Sequence, residues 1–308
     1  MEPRLTDLRI DLTSYCNEAC VFCPFHGFDE EITKGQFIDG DYFIKVAQDL
    51  NLQGFNITAR FVGSGEPTLH PDFIRILKSF KENNHRIKLI TNGQQTKKHL
   101  VELSELLDSL IVSIHGTEQT HDSLTRKKGS YKKAVEGVQL IRENNAEMDI
   151  LMHFVITPNN YQEMYAHAEN SVSIGAKPRY QHLVMTKGNM NLGTFDLEGI
   201  AKEIARVKQD FPETNIVPEV PLKDFEKYYD GNQIYLRKPH TCSRILTDLN
   251  IKYDGKVIIC DNRIFGDITS ESIVDIIKSD KRSDFINERL AKAKNERLPN
   301  SCSRCCYN

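Results

Sequence analysis

Over its first 184 residues the chain alternates short runs of strand patterning with longer amphipathic runs, and that alternation leaves few folds open. Residues 8–13 alternate apolar and polar, which reads as a strand. Further strands are predicted at 56–62, 86–91, 110–114, 149–156 and 178–184. Helices are predicted between them over 37–50, 71–83, 97–107, 130–144 and 161–171, and another over 196–210. Asp39 or Asp41 suits the first N-cap, since a short acidic side chain accepts hydrogen bonds from the unpaired amides of a first turn. Pro71 suits the first turn of the second helix, where an N–H would have no partner anyway. Six strands with helices between them require a parallel sheet, open or closed into a barrel. Sites in such folds lie at the carboxyl ends of the strands.

The pattern changes after residue 210. Residues 211–240 hold four prolines and no clear periodicity, so the connection is placed there, between a core of 1–210 and a module of 241–308. In that module Leu249, Ile251 and Tyr253 alternate up to Asp254–Gly255, and Val257 and Ile259 alternate after it. Asp-Gly between alternating apolar residues predicts a hairpin. Helices are predicted at 272–278 and 283–294.

Charge and hydropathy remove several classes of function. Lys plus Arg is 40 against 43 Asp plus Glu, a net charge of −3, and no basic tract stands out. A chain that held nucleic acid through phosphate contacts would be more basic, so no nucleic-acid partner is expected. The apolar runs are a few residues long, whereas a membrane span needs roughly 20. Residues 1–5 lack the apolar segment of a signal peptide. No membrane association is expected, and a cytoplasmic location is.

The eight cysteines gather at the two ends, at 16, 20, 23, 242, 260, 302, 305 and 306. In a cytosolic chain such clusters read as metal ligands or redox groups before disulfides. Cys16, Cys20 and Cys23 have C-x3-C-x2-C spacing directly after the first strand. Three thiolates on one loop can hold three corners of a cubane cluster and leave the fourth iron open to a substrate or cofactor. A zinc site with a fourth ligand elsewhere is the alternative, although zinc sites more often use two cysteine pairs or add histidines.

With these cysteines the sequence resembles the radical S-adenosylmethionine (SAM) superfamily, and the resemblance covers about residues 5–190. Phe22 stands where that family places an aromatic against the adenine. Gly63-Ser64-Gly65-Glu66-Pro67 follows the second strand like the family's Gly-Gly-Glu-Pro turn, whose backbone holds the methionine amino group; Ser64 replaces a glycine. Asn92–Gly93 ends the third strand as in the family, and Ser113 stands where a polar residue meets the ribose. The segment from His121 to Arg126 looks like one whose arginine meets the carboxylate, while His115 replaces a common Asp and is assigned no role. The resemblance implies a partial (β/α)6 radical SAM barrel, with a [4Fe-4S] cluster on Cys16, Cys20 and Cys23. It also implies SAM as cofactor and a low-potential flavodoxin or ferredoxin-type reductant.

Cys242, Cys260, Cys302 and Cys305, with Gly255 between the first two, resemble the twitch module, a short SPASM-type domain that carries an auxiliary [4Fe-4S] cluster. A structural zinc on the same four thiolates is the alternative. Cys306 is left over, as a substitute ligand for Cys305, an inert terminal thiol or a hydrogen-atom donor. Arg179, His182 and His153 are candidate substrate contacts on the last two strands; the plainer reading is a surface arginine and core histidines. In layout the chain is similar to the aminocyclitol dehydrogenase type known from butirosin biosynthesis. That implies a small polar substrate and two-electron oxidation of a secondary alcohol in a sugar or aminocyclitol, with the auxiliary cluster taking the second electron. A radical epimerase with a cysteine donor is the near alternative. A peptide maturase is disfavoured because Cys16 comes too early for a preceding leader-binding segment. A molybdopterin-pathway cyclase is disfavoured because the chain ends in Tyr307–Asn308 rather than a glycine pair. A zinc-stabilised binding protein without catalysis is the alternative from another class.

Overall fold

The computed structural model describes residues 4–27, 35–183, 194–229, 244–260 and 263–294. Strand β1 (Asp7–Ile10) leads through the cysteine loop to α1 (Gly40–Leu52). Then come β2 (Thr58–Phe61), α2 (Phe73–Glu82), β3 (Arg86–Thr91), α3 (Leu100–Leu106) and β4 (Ser109–Ser113). They are followed by α4 (Glu118–Thr125), α5 (Ser130–Asn144), β5 (Asp149–Ile156), α6 (Met164–Ser173), β6 (Lys177–His182) and α7 (Leu197–Asp210). The remainder is β7 (Asn215–Val217), α8 (Phe225–Tyr229), α9 (Arg244–Thr247), β8 (Asp248–Ile251), β9 (Lys256–Ile258), β10 (Ile264–Asp267), α10 (Ile273–Lys278) and α11 (Asp280–Lys294).

The strands form one sheet in the order β10-β9-β8-β1-β2-β3-β4-β5-β6-β7. From β1 to β7 every neighbour is parallel, which the intervening helices make possible as crossovers. This is the (β/α) barrel sheet, extended at one edge by the hairpin β8–β9, whose turn is Asp254–Gly255 with Gly255 at φ +86°. β10 adds antiparallel to β9.

Strand alternation divides the sheet into two faces. Leu8, Ile10, Ala59, Phe61, Ile87 and Leu89 are fully buried in one core with Phe43 and Leu50 of α1 and Phe80 of α2. Burying a side chain of this size contributes about 2 kcal/mol, so this outer face anchors the helices. The alternate residues turn to the inner face, where Phe22, Leu124, Val155 and Leu183 form a separate small cluster.

Several elements depart from the sequence reading. α4 (EQTHDSLT) was not predicted, because a short, mostly polar run carries no apolar period; its buried His121, Leu124 and Thr125 hold it in place. β7 and α8 lie inside the stretch read as aperiodic, and β7 adds a seventh parallel strand beside β6. β8 is not confined to a separate hairpin, since it pairs parallel to β1 and continues the core sheet. No described helix is long and apolar enough to cross a membrane.

Candidate active site

The cysteine loop leaves β1 at the carboxyl edge of the sheet and is fastened there from three sides. The Glu66 amide donates to the Tyr15 carbonyl at 2.8 Å, joining the loop to the turn after β2. The Asn92 side-chain amide donates to Asn17 at 2.7 Å and approaches the Cys16 sulfur at 4.0 Å. The Ala19 and Val21 amides donate to the Thr125 and Leu124 carbonyls at 3.1 and 2.8 Å, docking the loop on the end of α4. The predicted cysteines, turn and Asn92 are therefore brought together from residues up to 76 apart in sequence.

Glu66 is the clamp of the strand ends. Its buried carboxylate accepts from the Thr68 amide and hydroxyl at 3.2 and 2.6 Å, the Thr91 hydroxyl at 2.7 Å and the Asn92 amide at 2.8 Å. Burial pushes its pKa up, and the hydrogen bonds pull it down. Gly65 has no room for a side chain: a Cβ there would sit 2.2 Å from the Tyr15 carbonyl oxygen.

Ser64, the departure from the family's glycine, has a partner network of its own. Its amide and hydroxyl donate to Asp11 at 3.0 and 2.7 Å. Lys252, one residue past β8, reaches Asp11 at 2.5 Å and the Ser64 hydroxyl at 2.8 Å. The His26 ring donates to the Ser64 carbonyl at 2.9 Å. A residue from the C-terminal strands thus locks the turn beside the cysteine loop.

Behind the loop runs a chain of buried polar groups. The His115 amide donates to His121 Nδ1 at 3.0 Å, so His121 carries its proton on Nε2 and gives it to Ser130 Oγ at 3.0 Å. Ser130 donates to Glu18, and the Cys20 thiol lies 3.8 Å from the other Glu18 oxygen. Burial holds His121 down at about 4 and raises Glu18 to about 7. Phe22 stands edge-on to His115 at 4.8 Å between ring centroids. On the neighbouring strands His153 Nδ1 accepts from Arg179 at 3.1 Å, and burial holds His153 well below 6.5 with Arg179 adding to the effect. Ser113 is paired in register with His153. His182 turns to the other face, onto Tyr229 at 2.6 Å, and is a core histidine. Arg126 ends α4 in the left-handed region at φ 53°, with an exposed side chain beside the docked loop.

The thiols fit an iron–sulfur cluster in their chemistry. Burial raises Cys16 to about 12, with the Glu66 carboxylate adding to it, and burial lifts Cys20 and Cys23 as well. Such thiols ionise when a metal cation takes the place of the proton. Among the described residues no three Cys, His, Asp or Glu side chains converge as ligands of one metal ion. Thiolates that each bind a different iron of a cluster need no such convergence. Cys260 lies half-buried just past β9, while Cys242, Cys302, Cys305 and Cys306 fall outside the described residues. Sequence reasoning missed Asp11, Glu18, His26 and Lys252. Asp11 was within reach of it, as a polar residue one position past β1 that keeps the strand's alternation on the way to the cysteines.

A family model described as the radical SAM superfamily matches residues 10–169, and one described as an iron–sulfur cluster-binding domain matches residues 242–306. The chain is 25% identical over 306 residues to a probable GTP 3',8-cyclase of Saccharolobus islandicus (strain Y.N.15.51 / Yellowstone #2), covering 94% of this chain and 92% of the relative. It shares its fold with Streptococcus suis SuiB at a TM-score of 0.70 and 15% identity, covering 93% of this chain and 68% of that one. It also resembles BtrN, crystallised with AdoMet and 2-DOIA, at a TM-score of 0.54 and 17% identity over 100% of this chain and 95% of that one.

Proposed function

The chain belongs to the radical SAM superfamily, and on that premise we propose that it abstracts a hydrogen atom from a carbon of a polar small molecule. It uses SAM and iron–sulfur clusters. When bound, a [4Fe-4S] cluster on Cys16, Cys20 and Cys23 supplies the electron that cleaves SAM to a 5'-deoxyadenosyl radical, and a second cluster on Cys242, Cys260, Cys302 and Cys305 supplies an electron acceptor. A flavodoxin or ferredoxin-type protein is the proposed electron source.

The protein's own part is positioning. Ser64 and Gly65 present the turn to the methionine amino group, Phe22 backs the adenine, Ser113 meets the ribose and Arg126 the carboxylate. Glu66 and Asn92 keep that turn and the cysteine loop in one arrangement. The observation that carries this reading is the tie of the loop to two strand ends, Glu66 N–H to Tyr15 and Asn92 to Asn17. Arg179 and the neutral His153 are proposed to contact the substrate at the strand ends.

Within this reading the favoured outcome is oxidation of a secondary alcohol in a sugar or aminocyclitol. One electron leaves the carbon with the hydrogen atom. The ketone forms when a second electron leaves and the hydroxyl proton passes to a base. An epimerase would instead return a hydrogen atom from a thiol such as Cys306. A second reading, radical cyclisation of a nucleotide, is favoured by the relative named a GTP 3',8-cyclase, which matches over 94% of this chain.

The test is anaerobic turnover of the reconstituted protein with SAM and a strong reductant. We expect 5'-deoxyadenosine from wild type and none from the Cys16, Cys20, Cys23 triple-alanine variant. Candidate alcohols and GTP, each deuterated at carbon, then separate the outcomes by which one passes deuterium into 5'-deoxyadenosine and whether the product is a ketone or a ring. Equal 5'-deoxyadenosine from both proteins would refute the proposal.

A further inference from the structure

Arg9, Arg60 and Lys88 stand side by side in the sheet. Arg9 is in register with Arg60, and Arg60 with Lys88, on the neighbouring parallel strands β1, β2 and β3. Adjacent strands lie about 4.8 Å apart. All three residues share the inner face, because the residues on either side of each in its strand are fully buried under α1 and α2. All three are half-buried.

Among the described residues the row holds more positive charge than its neighbours neutralise. Asp7 pairs with Arg60 at 2.5 Å, yet Arg60 Nε is buried without a hydrogen-bond partner. Among the described residues Arg9 reaches only the Val62 carbonyl, at a long 3.5 Å. Lys88 has no hydrogen bond or ion pair among the described residues. The other carboxylates nearby are engaged: Asp11 with Lys252 at 2.5 Å, Asp248 with Arg244 at 2.6 Å, and Asp149 with Lys177 at 2.9 Å. Asn250 beside Arg9 and Ser109 beside Lys88 extend the row with polar groups, Ser109 donating to Asp149 at 3.3 Å. Like charges on neighbouring strands repel. A chain of net charge −3 that places three cations together on one inner face gains from an anion there.

The position of the row sets the shape of its ligand. Ser64, Asn92 and Ser113, at the strand ends, are four residues further along than Arg60, Lys88 and Ser109, or roughly 13 Å at about 3.3 Å per residue. The layer between holds Val62, Ile90 and Ile111, apolar but partly exposed on the same face, with the Asp11–Lys252 pair at its β1 edge. A ligand spanning the two levels has an anionic end, a less polar middle and a reacting carbon at the far end.

We propose that Arg9, Arg60 and Lys88 bind a phosphate group at the distal end of the substrate, so that the substrate is a phosphorylated molecule. Two guanidinium forks and an ammonium match the several oxygens of a phosphate, whereas one carboxylate fills a single fork. The proposal rests on the radical SAM reading of the strand-end site. It narrows that reading, since a cationic aminocyclitol without phosphate would meet this row unfavourably.

The test is calorimetric titration of the reconstituted protein with inorganic tripolyphosphate, GTP, guanosine and citrate, alongside the Arg9→Gln and Lys88→Gln variants. Tripolyphosphate and GTP are expected to bind wild type, and guanosine not to. Each variant is expected to weaken tripolyphosphate at least tenfold. Unliganded, the variants should melt at or above the wild-type temperature, since a repulsion has been removed. No tripolyphosphate binding, binding unchanged in the variants, or citrate binding as tightly would overturn the proposal. Variants that melt well below wild type would show the row to be structural, which also overturns it. SAM is titrated in parallel: failure of SAM alone counts against the strand-end site, and failure of tripolyphosphate alone counts against the anion site.

Discussion

Replacing Lys252 by methionine tests whether the C-terminal strands hold the turn proposed to bind SAM. The substitution keeps a long apolar side chain near Phe25 and Tyr253, whose rings lie 5.7 and 5.3 Å from the ammonium, and removes the charge with its hydrogen bonds to Asp11 and Ser64. Asp11 is then left with its two Ser64 hydrogen bonds. Removing one partner of a fully buried pair costs roughly 3–5 kcal/mol. Asp11 is 4% exposed but Lys252 is 26% exposed, so water screens part of that loss and about 2 kcal/mol remains. If Ser64 and Gly65 present the methionine-binding turn, part of this loss falls on ligand affinity, where about 1.4 kcal/mol is tenfold. We expect urea unfolding of the cluster-free protein to show a loss of about 2 kcal/mol. Calorimetry on the reconstituted protein should show SAM binding about tenfold weaker, and Lys252→Arg should recover most of both. Unchanged stability and unchanged SAM affinity in Lys252→Met would refute the coupling.

Two further predictions concern the clamp and the histidines. Glu66→Gln turns an acceptor into a donor against either the Asn92 amide or the Thr68 and Thr91 donors, so unfolding should show a loss of about 2 kcal/mol, from a lost charged hydrogen bond and an unpaired buried donor; a variant as stable as wild type would contradict the clamp. His121, His167 and His182 are each held at about 4 by burial. Their ring nitrogen resonances in the cluster-free protein should stay those of neutral imidazole down to pH 5, and titration near 6.5 would contradict their burial. The unfolded chain takes up these protons first, so each histidine costs stability as pH falls from 6.5 towards 4. Glu18, raised to about 7, acts in the opposite sense between pH 7 and 4.5, because the folded state binds its proton first.

Much of the barrel was legible because its signals are local. The strand patterning of β3 and β5, the cap Asp39 and the Asp254–Gly255 turn each act within a few residues, and the structure has them where the pattern puts them. α4 was not legible, because its eight residues are held by what they dock against rather than by an apolar stripe. The pairing of β8 with β1 was not legible either, since an exposed strand edge does not name its partner. In the site, the cysteines were marked by their spacing, and Glu66 and Asn92 by the resemblance of their turns to those of the radical SAM family. Lys252 did not: it meets Asp11 across 241 residues, and nothing around it in sequence marks an ion pair. The row of Arg9, Arg60 and Lys88 has the same character, since only the register of three strands makes neighbours of them.

The central claim is that the two cysteine groups each hold a four-iron cluster, and counting metal tests it most directly. Iron, sulfide and zinc should be measured in anaerobically reconstituted wild type and in the Cys16, Cys20, Cys23 triple-alanine variant. The account predicts about eight irons per chain falling to about four, with sulfide in step and little zinc. A wild type holding zinc in place of iron, or a triple variant with the full wild-type iron content, would contradict it.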